Sequence, residues 1–297
     1  MTGYDVVIVG GGAAGLSAAL VLSRARRRVA VVDSGLPRNA PAAHMHGFLS
    51  RDGMPPRDLL AAGRAEVSGY GGDLIDDTVA TVEPGFRVRL ARGDTLETRR
   101  LLVATGLRDE LPDIPGLRER FGRDVLHCPY CHGYEVRDQP LVVLGDAGHA
   151  LIVRQWSPEV TFLPHTSAVT ADERARLTAR GIPVVEGKAA GLVVTDDRLT
   201  GVQLDDGEVV ACAAVFVRPR FVPHSSVLAD LGCARDENGW AVVDPTGRTS
   251  VPGVWAAGNA VDPRAQVITA AGAGSAAAIA LNADLVDEDV RLALAAL

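Results

Sequence analysis

The chain begins with an apolar run followed by a segment of helical spacing. Tyr4–Val9 is almost continuously apolar and rich in β-branched residues, which predicts a strand buried on both faces of a parallel sheet. Alanine and leucine dominate residues 13–23 and predict a helix, after which residues 28–32 form a second apolar run. The order strand, helix, strand predicts a β–α–β unit at the start of the chain.

A second unit of the same kind begins near the middle of the chain. Leu141–Leu144 predicts a strand, a helix follows that ends near Gln155, and Val160–Leu163 predicts the next strand. Residues 192–217 alternate between apolar and polar positions and contain turn residues, so they predict further strands. Two β–α–β units indicate an α/β protein.

The end of the chain resembles neither unit. Residues 254–257 predict one more buried strand, followed by an alanine-rich helix over residues 267–282 and then a terminal helix or a frayed tail. Because this last strand and helix do not form a third β–α–β unit, we expect them to complete the first domain. The pattern therefore predicts a discontinuous first domain with a second domain inserted in its middle.

Composition narrows the class of protein. The 297 residues are 47% hydrophobic and 23% charged, as in a globular chain with a sizeable core, and the net charge of −7 argues against nucleic acid as a partner. The first strand follows no basic and apolar leader, and the chain has no run of about eighteen apolar residues. We therefore expect neither a signal peptide nor a membrane helix, and we predict a cytoplasmic protein.

A glycine-rich loop joins the first predicted strand to its helix. Gly10, Gly12 and Gly15 have the spacing G-x-G-x-x-G, which permits a tight turn, a close approach of the backbone to a pyrophosphate, and helix–strand packing. The N-terminus of the helix would donate amide hydrogen bonds to the phosphates. Asp33 follows the second strand, where an acid accepts hydrogen bonds from a ribose and disfavours a 2′-phosphate. The loop predicts a dinucleotide site without separating NAD from FAD.

Two of the four cysteines are three residues apart, at Cys128 and Cys131, and His132 follows them directly. This spacing has three specific interpretations: a redox-active disulfide, a zinc site that would add His127, or covalent haem attachment. Zinc usually takes a second pair of ligands, which the other two cysteines do not form, and haem attachment usually implies export. Disulfide exchange is therefore favoured, with His132 handling protons, although a solvated loop histidine is the plainer alternative for His132.

Four separated motifs, in this order, resemble those of the low-molecular-weight thioredoxin-reductase-like flavoproteins along almost the whole chain. They are the glycine loop of residues 10–15, Ala104-Thr105-Gly106, the Cys128–Cys131 pair, and residues 251–259 with Thr269-Ala270-Ala271-Gly272 beyond them. The resemblance implies an α/β fold of two Rossmann-like nucleotide-binding domains, each of three ββα layers, the second inserted into the first. It implies an FAD-binding domain of residues 1–110 and 219–297, an NAD(P)H-binding-like domain of residues 111–218 with the cysteine pair, and a homodimer.

The resemblance also implies which residues contact FAD, and it implies no metal. The FAD-contacting residues are Gly10, Gly12, Ala13, Ala14, Gly15, Asp33, Ser34, Arg38, Asn39, Val79, Ala104, Thr105, Gly106, Gly258, Asn259, Gln266 and Val267. The last helix is expected to direct its N-terminus at the flavin ring, where a positive dipole end stabilises the reduced, anionic flavin. The family has Gly-Asp where this chain has Gly258-Asn259, so a hydrogen-bonding amide replaces a charge.

The second nucleotide loop departs most from the family. A reductase carries G-x-G-x-x-A there, whereas this chain reads Gly145-Asp146-Ala147-Gly148-His149-Ala150, and no arginine or lysine occurs in residues 164–167 after the next strand. An acid in a phosphate loop without a cation makes NAD(P)H a doubtful cofactor. These departures, with His132 in place of the family's acid, resemble the subgroup that contains the dithiol oxidases of gliotoxin- and holomycin-type pathways.

The sequence therefore predicts an FAD-dependent dithiol–disulfide oxidoreductase. A substrate thiolate would attack Cys128, the second thiolate would resolve the mixed disulfide, and Cys131 would pass the electrons to the flavin and on to oxygen. His132, helped by Glu135, would handle the protons. The expected partners are a small-molecule dithiol or a thioredoxin-like protein, with oxygen as electron acceptor and neither nucleic acid nor a membrane. The alternatives are an NAD(P)H-dependent thioredoxin reductase and a non-catalytic flavin-binding redox module.

The loop predicted for residues 36–56 contains two further histidines, His44 and His46. They could line the flavin or substrate pocket, although loop histidines are more often solvated. Cys212 and Cys233 are interpreted as small, buried packing residues.

Overall fold

The structure is a computed structural model, and it describes residues 3–297. Its strands in chain order are β1 (Tyr4–Val9), β2 (Val29–Asp33), β3 (Asp73–Asp76), β4 (Val79–Glu83), β5 (Arg87–Leu90), β6 (Thr95–Val103), β7 (Leu107–Glu110), β8 (Val125–Leu126), β9 (Leu141–Leu144), β10 (Val160–Leu163), β11 (Ala189–Thr195), β12 (Arg198–Leu204), β13 (Val209–Ala211), β14 (Ala214–Val217), β15 (Arg220–Pro223) and β16 (Val254–Ala256). Its helices are α1 (Ala13–Arg24), α2 (Pro56–Gly69), α3 (Pro129–His132), α4 (Ala147–Val153), α5 (Ala171–Ala179), α6 (Ser226–Asp230) and α7 (Val267–Ala295), with a 3₁₀ turn at Gly258–Ala260. Both predicted units are present, as β1–α1–β2 and β9–α4–β10.

A seven-stranded sheet joins the two ends of the chain. Its order is β3-β2-β1-β6-β5-β4, and β16 pairs in parallel with β6. The last strand therefore returns to the sheet that the first strand begins, as the pattern predicted. Strands β7 and β15 pair with each other in antiparallel orientation, where the chain leaves this region and comes back to it. The domain limits at residues 110 and 219 stay a prediction.

Helices and a second layer of strands cover the two faces of the first sheet. On one face, α1 and α7 pack against the sheet through Leu22, Leu102, Trp255 and Leu281. On the other face, the β4–β5 hairpin and the segment around Leu228 form a second core. Because both faces of the sheet are covered, the side chains on both sides of its central strands are buried. This burial explains the nearly continuous apolar runs of β1 and β2.

The inserted unit repeats this three-layer arrangement. Its parallel sheet has the order β10-β9-β14-β8, with α4 and α5 on one face and the antiparallel strands β11, β12 and β13 on the other. The predicted fold class, two Rossmann-like ββα units, is confirmed. Cys212 and Cys233 are both buried, Cys212 in the core of the second unit and Cys233 in that of the first. Burial raises the pKa of the Cys212 thiol to about 12, so it stays protonated and packs as an apolar group.

The structure corrects one predicted element, the end of the chain. α7 continues to Ala295 without a break, so the predicted end near residue 282 and the separate element after it are wrong. Contacts with residues distant in sequence hold the added turns. Asp284 pairs with Arg100 at 2.6 Å and also with Arg248, which ties this part of the helix to the body of the first unit.

α7 is long and apolar enough, by length and composition, to cross a membrane, which the sequence analysis did not expect. It packs along α1 at backbone contact, because a Cβ on Gly274 would lie 2.0 Å from the carbonyl oxygen of Ala14. Its outer side exposes Ile279, Val286 and Val290, a set that we call the α7 stripe. The cytoplasmic location stays a prediction.

Candidate active site

The glycine loop after β1 forms a narrow turn with an open outer side. A Cβ on Gly10, whose φ is +105°, would lie 2.4 Å from the carbonyl oxygen of Ala104, and one on Gly15 would lie 1.8 Å from that of Gly10. Gly12 differs, since a Cβ there would meet no atom within 4 Å. Gly12 is also the N-cap of α1 and has no side-chain cap. The first amides of α1 therefore face open space, which suits a phosphate group.

Asp33 connects the end of β2 to this loop. Its Oδ1 accepts a hydrogen bond from the Gly11 amide at 2.9 Å, and its Oδ2 accepts one from the Gly35 amide at 3.3 Å. Ser34 follows on the surface. The predicted ribose acceptor thus also fixes the loop, and its carboxylate oxygens keep further acceptor capacity for a ribose.

Arg38 and Asn259, which are far apart in the sequence, meet at the next part of the site. Arg38 donates two hydrogen bonds to Asp109, at 2.8 and 2.7 Å, and a third to the Asn259 Oδ1 at 3.3 Å. The Asn259 amide donates to the carbonyl oxygens of Asp262 and Ala265. Asn259 therefore shapes the loop before α7, in addition to the flavin contact predicted for it.

The predicted Ala-Thr-Gly segment forms the junction between β6 and β7. The Thr105 hydroxyl donates a hydrogen bond to the His224 carbonyl oxygen at 2.6 Å, and the His224 amide donates to the Gly106 carbonyl oxygen at 3.0 Å. Of the remaining predicted cofactor residues, Asn39 is half-buried in the loop after β2, and Val79 is half-buried at the start of β4.

Cys128 is the N-cap of the short helix α3, which contains Cys131 and lies next to the start of α7. Cys128 and Cys131 form a disulfide with Cα atoms 5.3 Å apart, and the Cys128 carbonyl oxygen accepts the amides of Cys131 and His132. Gln266, the N-cap of α7, lies with its Nε2 4.0 Å from the Cys128 Sγ. α7 has no side-chain cap and no acid in its first turn, so the disulfide and the positive end of the helix dipole face the same space.

Trp156 supports the helix of the cysteine pair from behind. A Cβ on Gly133 would lie 2.8 Å from the Trp156 ring, and the Tyr130 ring meets the same indole edge-on at 5.3 Å between centroids. The glycine that follows His132 therefore permits close packing. Trp156 was not predicted as part of the site, because it lies 28 residues after Cys128 in the chain.

A cavity of about 240 Å³ opens on the side of α3 that carries His132. It is lined by Pro41, Ala43, His44, His46, Gly122, Arg123, Leu126, His132, Glu135 and Val136. Neither ring nitrogen of His132 has a hydrogen-bond partner among residues 3–297. Burial lowers the pKa of His132, so the ring is a neutral base that faces the cavity. The two loop histidines do line a pocket, together with His132.

Comparison with known proteins assigns the chain to a family. The model of the pyridine nucleotide-disulphide oxidoreductase family matches residues 4–275. The chain belongs to this family. The crystal structure of HlmI is 60% identical, with a TM-score of 0.97 over 99% of this chain and 96% of that one. Thioredoxin reductase sirT from Leptosphaeria maculans is 31% identical over 97% of this chain and 96% of its own. Thioredoxin reductase tcpT from Claviceps purpurea is 34% identical over 86% of each.

Membership of the pyridine nucleotide-disulphide oxidoreductase family confirms the resemblance found in the sequence. It makes the chain an oxidoreductase that acts on disulfides. Members of the family bind FAD. The residues here fit that cofactor, because the uncapped start of α1 with its open Gly12 suits a pyrophosphate. The roles of the individual cofactor residues stay predictions.

The second nucleotide loop contains its own anion. Asp146 is the N-cap of α4 and accepts the His149 amide at 2.8 Å, while its other oxygen pairs with Arg218 at 2.8 Å. The expectation that this loop lacks a cation was wrong, because Arg218 follows β14, a strand that lies beside β9 in the sheet. The ends of neighbouring parallel strands meet at one edge, and that rule could have found Arg218. The cation is nevertheless neutralised by Asp146.

Residues 3–297 contain no group of three or more histidine, cysteine or acidic side chains arranged to hold a metal ion. His127, the fourth ligand that the zinc interpretation required, packs against Phe221 and contacts the Val217 carbonyl oxygen instead. The cysteines thus remain paired with each other, as the disulfide interpretation predicted.

Proposed function

We propose that the chain is an FAD-dependent dithiol oxidase, which closes a disulfide in a small-molecule dithiol with oxygen as the electron acceptor. The ion pair of Asp146 and Arg218 at the N-terminus of α4 carries the proposal. In a reductase of this kind the same loop would receive the phosphates of NAD(P)H, whereas here a carboxylate of the chain takes the amide and the guanidinium. Electrons then have to enter the protein from thiols.

The cavity beside His132 supports a small substrate. Its volume of about 240 Å³ is below the usual range of pockets for drug-sized ligands, so it suits a small organic dithiol. The subgroup that the sequence resembles, the dithiol oxidases of gliotoxin- and holomycin-type pathways, acts on substrates of this class.

The chain's own residues would carry the thiol chemistry as follows. A substrate thiolate attacks the Cys128 sulfur, the bond to Cys131 breaks, and a mixed disulfide forms. The second substrate thiolate then attacks the substrate sulfur of that mixed disulfide, which releases the substrate disulfide and leaves both cysteines reduced. His132 accepts a thiol proton, because its ring is buried and neutral and neither ring nitrogen has a hydrogen-bond partner among residues 3–297. Bound FAD would take the electron pair from the reduced cysteines and give it to oxygen, which becomes hydrogen peroxide.

The residues that would hold FAD come from the first and the last part of the chain. The start of α1 would bind the pyrophosphate and Asp33 the ribose, while Arg38 and Asn259 shape the loop before α7. Gln266, the N-cap of α7, approaches the Cys128 sulfur, and the flavin ring is expected near this contact. These elements would position the ring next to the cysteine pair and near the positive end of α7.

Two absorbance experiments on the flavin-loaded protein test the proposal. Without oxygen, NADPH should leave the flavin absorbance unchanged, whereas dithiothreitol or a reduced gliotoxin-type dithiol should bleach it. On return of oxygen the absorbance should recover with one hydrogen peroxide formed per dithiol. Cys128→Ser should stay yellow and lose this turnover. Rapid bleaching by NADPH would contradict the proposal, and a protein that oxidises no dithiol would instead be a flavin-binding redox module.

The names of the relatives favour a second candidate, an NAD(P)H-dependent thioredoxin reductase. This activity would require Arg218 to exchange Asp146 for a phosphate. The NADPH arm of the same experiment separates the two candidates, and oxidised thioredoxin added with NADPH tests the protein partner.

A further inference from the structure

The loop between β2 and α2 lines the cavity and approaches Gln266, which lies next to the redox pair. His46 on this loop lines the cavity. A Cβ on its neighbour Gly47 would lie 3.7 Å from the Gln266 Oε1, and the Gln266 Nε2 is 4.0 Å from the Cys128 Sγ. No step of the proposed thiol chemistry uses this loop, although four of its residues line the cavity that His132 faces.

Both ring nitrogens of His46 face a carboxylate. Nδ1 is 3.4 Å from the Asp52 Oδ2, and Nε2 is 3.5 Å from the Glu135 Oε1. Asp52 is itself fixed, because its Oδ1 accepts the Gly47 amide at 2.8 Å. That bond, with the contact to His46, lowers the pKa of Asp52 and keeps it ionised. An imidazole between two carboxylates can accept a proton at one nitrogen and release one from the other.

His132 faces the same cavity in different surroundings. Neither of its nitrogens has a partner among the described residues, and burial is the main cause of its lowered pKa. The nearby His46 lowers that pKa further, and Glu135 opposes the effect. The remaining charged or titratable groups that line the cavity are His44 and Arg123. His132 can thus accept the proton of one thiol, but no described side chain is placed to take that proton from its ring.

A dithiol has two protons to lose, one from each sulfur, because only a thiolate attacks a disulfide. We propose that the substrate lies between the two histidines and that His46, positioned by Asp52, is the base for the second thiol. His132 accepts the proton of the thiol that attacks first. This inference deepens the proposed dithiol oxidase function and rests on it.

The two steps balance in protons and electrons. In the first, the substrate–Cys128 bond forms, the Cys128–Cys131 bond breaks, and Cys131 leaves as a thiolate while His132 keeps the proton of the attacking thiol. In the second, His46 takes the proton of the remaining substrate thiol, the substrate disulfide forms, and Cys128 leaves as a thiolate. The proton on His46 is then lost to solvent from Nδ1, the nitrogen that faces Asp52, whose side chain is 67% exposed. The cysteine pair holds the electron pair that the substrate lost.

The experiment isolates the second step. Wild type, His46→Gln, Asp52→Asn and the control His165→Gln, which lies outside the cavity, are loaded with FAD and mixed with dithiothreitol without oxygen near neutral pH. Samples are quenched with acid at set times, and the mass of the intact protein is measured by mass spectrometry. In His46→Gln the closing step should slow by about 100-fold, the usual size of a lost general base. A mixed disulfide of one dithiothreitol on Cys128 should therefore accumulate.

The pH dependence separates a base from a structural role. At about pH 9 the second thiol ionises unaided, so the adduct in His46→Gln should disappear. Asp52→Asn should show the same pattern with a smaller slowing of about tenfold. Wild type and His165→Gln should accumulate no adduct at either pH.

Three results would decide against parts of this scheme, and they are distinguishable. Wild-type closing rates in both His46→Gln and Asp52→Asn would overturn the role of His46, and so would an equal slowing at both pH values. Failure of the wild type to oxidise the dithiol would refute the proposed function itself. Because Asp52 is on the surface, its variant decides the question if His46→Gln does not fold or retain flavin.

Discussion

His149 should make the stability of the protein depend on pH. Its side chain lies at the start of α4, only 7% exposed, between the rings of Phe216 and His127. Its Nδ1 has no hydrogen-bond partner in the described part of the chain. Burial, followed by the nearby His127, lowers the pKa of His149 from 6.5 to about 4, although Asp146 opposes the effect. The folded protein therefore holds this ring neutral at pH 7.

The expected loss of stability follows from the two pKa values. The unfolded chain takes up a proton at this ring near pH 6.5, whereas the folded protein does so only near pH 4. The stability contributed by the neutral ring is therefore complete above pH 6.5 and is lost progressively as the pH falls toward 4. Linkage gives a decrease in the free energy of unfolding of about 2 kcal/mol between about pH 7.5 and pH 5.0.

Urea unfolding followed by circular dichroism at these two pH values measures the effect. His149→Gln should lose about 2 kcal/mol less than wild type on acidification, because it removes the titrating group and leaves all others in place. His44→Gln, at an exposed histidine, should lose as much as wild type. Equal losses in wild type and His149→Gln would refute the reasoning. His149→Phe, which keeps a ring in the site, provides a second variant.

Three further predictions concern other parts of the molecule. Gly274→Ala should lower the free energy of unfolding in urea by about 2 kcal/mol, because its Cβ would meet α1, whereas Gly272→Ala on the same helix has open space and should not. If a second copy of the chain covers the α7 stripe in the expected homodimer, Val290→Glu should weaken the dimer by about tenfold or more in light scattering, and Val194→Glu on β11 should not. Asp146→Ala should cost about 1 kcal/mol of stability as a lost N-cap, and calorimetry should show new binding of NADPH.

Local signals explain why the strands and the first helix could be predicted from the sequence. β1 and α1 were predicted almost to the residue, because a buried parallel strand is apolar throughout and the glycine loop marks where the helix starts. α7 was predicted too short, because its last turns depend on contacts such as that of Asp284 with Arg100, which no local pattern contains. α2 had no such signal and was not predicted.

The candidate site shows the same division between local and long-range features. The cysteine pair and His132 were found because their spacing carries the chemistry. Arg218 and Trp156 were missed, since the fold brings them to the second loop and to α3 from distant parts of the chain. His46 was noticed as a histidine in a loop, but only its two carboxylate neighbours distinguish it from a solvated side chain.

Under the proposed function, the second loop determines the direction of electron flow, and the thiol chemistry does not. A cysteine pair next to a flavin serves a reductase and an oxidase equally well, because thiol–disulfide exchange is reversible and follows the reduction potentials. A reductase also needs a docking site for its hydride donor, and an anion already bound at that site by an amide and a guanidinium opposes a phosphate by charge and by occupancy. Asp146 takes no part in the thiol chemistry, yet under the proposed function the choice between the two activities depends on it.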